Sequence, residues 1–302
     1  MAGRKNWFRE TGRAFRDTFK SFGEFKITKL SSSLAYYTVF SMGPLLIIII
    51  SLCGIFFERE AVEGKVREQL DGFIGSQSAE QLQEIIKNAS LAGKSKLAVI
   101  IGSITLLLGA TTVFAEIQDS INSIWGLKAK PKKGLLRLLV SRLLSFSIIV
   151  SLGFLLLVSL AISAIIDVLN DSLQSQFPDT AVAILYGLNL VVTVVITTVI
   201  FAVIFKVLPD AIIKWKDVWA GAIMTSILFL VGKFLISLYI AKAEIGHTYG
   251  AAGSLVIFIL WVYYSAMILY IGALFTKNYA LARGHEIIPS RFAVKTDSGR
   301  IQ

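Results

Sequence analysis

One cysteine, Cys53, and two histidines, His247 and His285, are all the chain has of thiol and imidazole. A disulfide framework therefore has no material, and neither does a cysteine-based metal site. Structural or catalytic zinc needs three or four clustered ligands, which His and Cys cannot supply here. Charge is scarce as well: 17% of the 302 residues are Asp, Glu, Lys or Arg, against about 25% in soluble domains. No G-x-x-x-x-G-K-[ST] loop occurs to cradle ATP phosphates, and no G-x-S-x-G elbow to present a serine nucleophile. The acids are too scattered to form a dyad. These absences predict a protein without cofactor, metal or enzymatic activity.

What the chain has instead is apolar length. Hydrophobic residues make up 55% of it and the mean hydropathy is +0.71. About 20 apolar residues cross a hydrocarbon core, and charge-poor windows of that size recur. They predict an all-α integral membrane protein with six spans at about 30–57, 97–115, 143–166, 180–205, 218–241 and 248–276. Strands are not expected, because the runs are continuous and do not alternate. The first run starts too late and is too long for a signal peptide, so it reads as a retained span.

Lys and Arg distribute unevenly between the two sets of flanks. The N-terminal segment has eight, residues 116–142 have six, 206–217 have three and the C-terminal segment has five. The opposite flanks have six in 58–96, balanced there by seven acids, none in 167–179 and one in 242–247. The bias predicts both termini on the cytoplasmic side. The net charge of +10 then reads as a topology signal and an attraction to anionic lipid rather than to nucleic acid.

Outside the spans, residues 6–27 space Phe8, Phe15, Phe19 and Phe22 along one helical face, with Arg9, Arg13, Arg16 and Lys20 between them. That pattern predicts a basic amphipathic helix on the leaflet surface, within a cytoplasmic segment 1–29. In the long loop 58–96, Ser78 and Gln81 suit a capping box before Leu82, Ile85 and Ile86, so short helices are expected there. The stretch LKAKPKKG is a basic turn, and residues 278–302 are expected to form a flexible tail.

Inside the spans, polar groups stand out. In SLAYYTVFSMGPLL, Ser33, Tyr37 and Ser41 are four apart and Tyr36 lies beside them. Pro44 has no N–H and its ring opposes the carbonyl of residue 40, which predicts a bend. Lys233 interrupts the fifth span in its outer half, where snorkelling competes with a functional role. Gly246, Gly250 and Ser254 repeat every four residues, a spacing that admits close helix packing. Trp261, Tyr263, Tyr264 and Ser265 place polar-tipped aromatics at depth, away from an interfacial belt.

These stretches resemble the YihY/BrkB family of bacterial inner-membrane proteins, a group once labelled ribonuclease BN. The resemblance rests on LAYYTVFSMGPLL, on ATTVFAEIQDSINSIW (110–125), on VLPD with Trp215 and WAGA (207–222), and on YGAAGS with LWVYYSAMILYIGA (249–273). The family often has an acid after the last Gly-Ala, where Leu274 stands here. The resemblance implies six spans in the cytoplasmic membrane, no settled activity, and, for some members, movement of lipid-like envelope precursors. Residues expected to line a substrate path or hold its structure are Ser33, Tyr36, Tyr37, Ser41, Pro44, Gln118, Asn122, Trp125, Pro209, Lys233, Tyr249, Gly250, Gly253, Trp261 and Tyr264. The expected function is a carrier that is not itself ATP-driven, with a membrane scaffold as the alternative. Membrane lipids are the expected partners, with anionic lipid at the N-terminal helix; a homo-oligomer is compatible with this and nucleic acid is not expected.

Overall fold

The computed structural model describes residues 2–53, 112–130, 178–242 and 253–296. They form α1 (Ala2–Ser21), α2 (Ile27–Cys53), α3 (112–124), β1 (Leu127–Ala129), α4 (Pro178–Val207), β2 (Ala211–Ile212), α5 (Trp215–Lys242), α6 (Gly253–Ala282), β3 (Ile288–Pro289) and β4 (Ala293–Lys295). Among the described residues, three helical windows are long and apolar enough to cross a membrane: Leu190–Val207, Trp215–Ile236 and Leu255–Ala282. They overlap the last three predicted spans, each shifted past one end by two to six residues. The span predicted at 30–57 overlaps α2. The span at 143–166, the outer loop at 58–96 and most of the span at 97–115 lie outside the described residues.

The helices divide between two compact units. The first comprises residues 1–25, 121–230 and 271–302, the second 26–120 and 231–270. In the first unit, α5 and α6 approach through paired notches. A Cβ on Gly221 would lie 1.8 Å from Thr276 Oγ1, and one on Gly272 would lie 1.9 Å from Thr225 Oγ1. Each threonine thus occupies the space a side chain would fill on the other helix. Each hydroxyl also donates to its own i−4 carbonyl at 2.7 Å, Thr225 to Gly221 and Thr276 to Gly272. The hydroxyls are satisfied within their own helices, so each can sit against the facing glycine without an orphaned donor.

α1 docks on this pair. Ala14 and Thr18 are buried, Phe15 tilts against Phe275 at 4.9 Å between centroids, and Ala220 and Met224 pack on the same cluster. Asn278 Nδ2 donates to Thr18 Oγ1 at 3.1 Å, and Arg283 lies 3.6 Å from Glu10. The phenylalanines expected to share one membrane-facing side are therefore divided: Phe15 packs on protein, while Phe19 is 73% exposed. The 40° advance from one to the other on a helix is enough to carry Phe19 past the edge of the packed face.

Two further expectations change. The tail from residue 278 is not a loose segment as far as Thr296, and the all-α reading omits two antiparallel pairs. β1 pairs with β4, Leu127 opposite Lys295, and β2 pairs with β3, Ala211 opposite Pro289. These strands of two or three residues follow the apolar runs, where hydropathy carries no strand signal.

In the second unit, α2 buries Ile27, Ser31, Leu34, Ala35 and Ser41. Gly232 of α5 lets α6 come close, since a Cβ there would meet Tyr264 and Ile268 at 2.6 Å.

Gly221→Ala and Gly272→Ala should each lower the thermal unfolding temperature of the purified protein in detergent, consistent with an overpacking cost of about 1–3 kcal/mol. Adding Thr276→Ala to Gly221→Ala should recover part of the loss. An unchanged melting temperature in both glycine variants would show that the helices are not in such close contact.

Candidate functional site

α3 ends at a glycine turn that leaves its last carbonyls to be satisfied. Trp125 N–H bonds Ile121 O at 2.9 Å, and Gly126, at φ 72°, turns its N–H to Ser123 O at 3.1 Å. The positive φ is why glycine suits this position. Ile124 O then accepts from Lys277 Nζ at 2.7 Å, a cation at the negative end of the helix dipole. In return the buried Trp125 donates its indole N–H to Ala273 O at 2.9 Å. The end of α3 and the last turns of α6 are thus joined in both directions. The Lys277 ammonium also lies 4.4 Å over the Phe25 ring.

One turn earlier, buried Asn122 grips the turn after α4. Its Oδ1 accepts from Asp210 N–H at 2.8 Å and its Nδ2 donates to Asp210 Oδ2 at 3.1 Å. Asp210 O accepts from Ser290 N–H at 3.0 Å, which brings the C-terminal segment to the same point. Pro209, the expected site residue beside Asp210, is buried and lacks an N–H to satisfy. Lys206 staples the other side of this turn, donating to Ile213 O at 2.5 Å with its ammonium 5.3 Å from the Trp215 ring.

The same turn leads to a buried carboxylate. Asp217 is in the first turn of α5, where the helix dipole favours an anion, and it is fully buried. Its Oδ2 is 2.7 Å from His285 Nδ1, and its Oδ1 has no partner. The carboxylate accepts, so Nδ1 carries the hydrogen. His285 is held by the C-terminal cap of α6: Gly284, at φ 69°, bonds Leu281 O, and His285 N–H bonds Ala280 O at 2.9 Å. The imidazole keeps a side-chain exposure of 22%, so Nε2 belongs to a half-accessible ring oriented by a buried acid.

A second polar group lies within the span windows. Thr197 Oγ1 donates to Thr193 O at 2.5 Å and lies 2.7 Å from Ser226 Oγ, which reaches Val194 O at 3.2 Å. Val194 O is the carbonyl that a helical threonine at 198 ordinarily uses. Thr198 Oγ1 is buried and has no partner. Thr198 is nine residues before Val207 and Ser226 eleven after Trp215, roughly 13 Å and 16 Å along their helices. Both depths are close to half of a hydrocarbon core about 30 Å thick.

The expected path residues separate. Asn122, Trp125 and Pro209 converge in the first unit. Ser41 is buried on α2, but Tyr36 is 62% exposed and Tyr37 36%, stacking among themselves and with Phe40 rather than facing inward. The packed arc of α2 passes through Ser31, Leu34 and Ala35, which turns Ser33 and the tyrosines away from it. α2 runs unbroken through Pro44. Lys233 is exposed on α5; Gln118, Trp261 and Tyr264 are half-buried and Gly253 is buried, all in the second unit. Tyr249 and Gly250 lie outside the described residues. The sequence reading missed Asp217 and His285 as a pair, Thr197, Thr198 and Ser226, and the Gly-x-x-x-Thr repeats; only the last leave a local spacing signal. Among the described residues, no three His, Cys, Asp or Glu side chains are grouped to hold a metal ion.

Comparison with known proteins places this arrangement among membrane proteins. The family described as virulence factor BrkB matches residues 18–290. A UPF0761 membrane protein of Saccharophagus degradans is 25% identical over 282 residues, covering 93% of this chain and 62% of that protein. One from Haemophilus influenzae is 27% identical over 260 residues, covering 84% and 90% respectively. One from Ralstonia nicotianae is 25% identical, and the chain spans 57% of its length. No solved structure matches.

His285→Ala should cost about 2 kcal/mol of stability, because it leaves a buried carboxylate without its donor. The double variant Asp217→Asn, His285→Ala should unfold closer to the wild-type temperature than His285→Ala alone. A double variant no more stable than the single one would show that Asp217 is not held there as an anion.

Proposed function

Because the chain belongs to the BrkB family of membrane proteins, we propose that it is a carrier for a lipid-like or envelope-related substrate in the bacterial cytoplasmic membrane. In this reading six spans cross the bilayer with both termini inside, and transport draws on an ion gradient or on the substrate's own gradient. The observation that carries it is the hydroxyl group near mid-membrane. Thr197, Thr198 and Ser226 present more acceptor positions than protons, and the Thr198 hydroxyl is buried without a partner. A polar side chain with nothing to bind is costly in hydrocarbon, and transport sites are formed near the midplane from such groups.

The grouping of charged segments supports the orientation. α1, the end of α3 with β1, the turn between α4 and α5 and the C-terminal segment belong to the four flanks assigned to the cytoplasmic side, and all four fall in one unit. That same assembly favours the second reading, a scaffold. Two strand pairs and the bonds at Asp210 and Ile124 build an ordered cap that can present a surface to a partner.

Purified protein in proteoliposomes should give time-dependent movement of a fluorescent phospholipid or polyprenyl-phosphate analogue between leaflets. Thr198→Val and Ser226→Ala should reduce it by about tenfold while the melting temperature falls little. Absence of flux for all such substrates with folded protein would overturn the carrier reading. A stoichiometric partner cross-linked in native membranes would favour the scaffold.

A further inference from the structure

The outer side of α1 is built for the lipid surface beside it, and its depth can be read from its contacts. Ala14 and Phe15 pack among Ala220, Met224, Phe275 and Tyr279. Ala220 is five residues into α5 and Phe275 seven residues before the end of α6, so α1 lies roughly 8–10 Å inside the ends of these helices. Trp219, 41% exposed and one residue before Ala220, marks the same level, and Trp215, 51% exposed, lies at the helix end just outside it, as in an interfacial aromatic belt. With α5 and α6 crossing the bilayer over their apolar windows, α1 falls at the boundary between headgroups and acyl chains.

At that depth its unpacked side has a definite chemistry. Arg9, Arg13, Arg16 and Lys20 are exposed and fall within a narrow strip on the side opposite Ala14 and Thr18. Phe19 borders the strip and is 73% exposed. Glu10 is turned back to Arg283, while Asp17 pairs with Arg16 at 3.4 Å and offsets one of the four cations, leaving the strip with a net positive charge. Three ties prevent α1 from rotating these residues away: the Phe15–Phe275 contact, the Asn278–Thr18 bond and the Arg283–Glu10 pair. We propose that this face of α1 binds the anionic lipid headgroups of the leaflet in which α5 and α6 end, with Phe19 inserted between acyl chains and the four cations on lipid phosphates. Basic residues near an anionic leaflet each contribute about a fivefold preference, and the ring adds apolar burial.

The test uses the full chain with Cys53→Ser and a nitroxide attached through Phe19→Cys, reconstituted into phosphatidylcholine vesicles with or without phosphatidylglycerol. The ratio of oxygen to nickel-chelate accessibility reports immersion. The ratio should be lipid-like with phosphatidylglycerol and several-fold lower without it. Replacing Arg9, Arg13, Arg16 and Lys20 by Gln should remove the difference, and high salt should weaken it only in the parent. Asn278→Asp serves as a second variant: loosening the tie to Thr18 should lower immersion with the strip intact. A nitroxide reading as aqueous in both vesicles overturns the proposal. So does one that is immersed equally in both and insensitive to the Gln substitutions, and so does one shielded from oxygen and chelate alike, which would mean that protein covers this face.

Discussion

The reciprocal contact of Thr225 on Gly272 and Thr276 on Gly221 sets the separation of α5 and α6, and most of the first unit depends on it. In a membrane, apolar side chains gain little by leaving lipid for protein, so close packing and satisfied polar groups must hold helices together. The two glycines permit the approach. The two threonines fill the notches and return their hydroxyl protons to their own backbones. Beyond this contact, the end of α6 and the residues that follow it present Lys277, Asn278, Arg283 and His285 to three segments: the end of α3, α1 and the start of α5. A shift of α6 along α5 would displace all of these partners together.

Several of the polar bonds that hold the first unit together are made to backbone. Lys277, Trp125 and Lys206 donate to carbonyls at helix ends or in turns. Asn122 holds a turn through its N–H and its side chain at once. This follows from the need to satisfy main-chain groups where helices stop near lipid. Asp217 is the contrast, a charge drawn into the interior and met on one oxygen only.

What was legible in the sequence divides along physical lines. The apolar windows of α4, α5 and α6 could be read directly, because crossing a hydrocarbon core demands length. Asn122, Trp125 and Pro209 were marked by their motifs, although the bonds they make were not. The facing of α2 was not legible. A helix in lipid is apolar on both packed and unpacked sides, so the arc through Ser31, Leu34 and Ala35 carries no contrast against the one through Tyr36 and Phe40. Hydroxyl spacing suggested Ser33, Tyr37 and Ser41, but 40° of drift at each step of four carries such a row out of any packed stripe. Asp217 and His285 are 68 residues apart, and only the fold makes them neighbours.

The two strand pairs also impose an order in time. β1 and β2 are made first, yet their partners are β4 and β3, separated from them by just over half and about a quarter of the chain. While the ribosome is still making α6, the edges of β1 and β2 have no partner, the Asp210 carbonyl has no Ser290 donor and Asp217 has no imidazole. Residues 285–295 act as a clasp on segments made before them, fastened only once α6 has been made. A chain stopped before His285 therefore leaves the first unit open at all of these points at once.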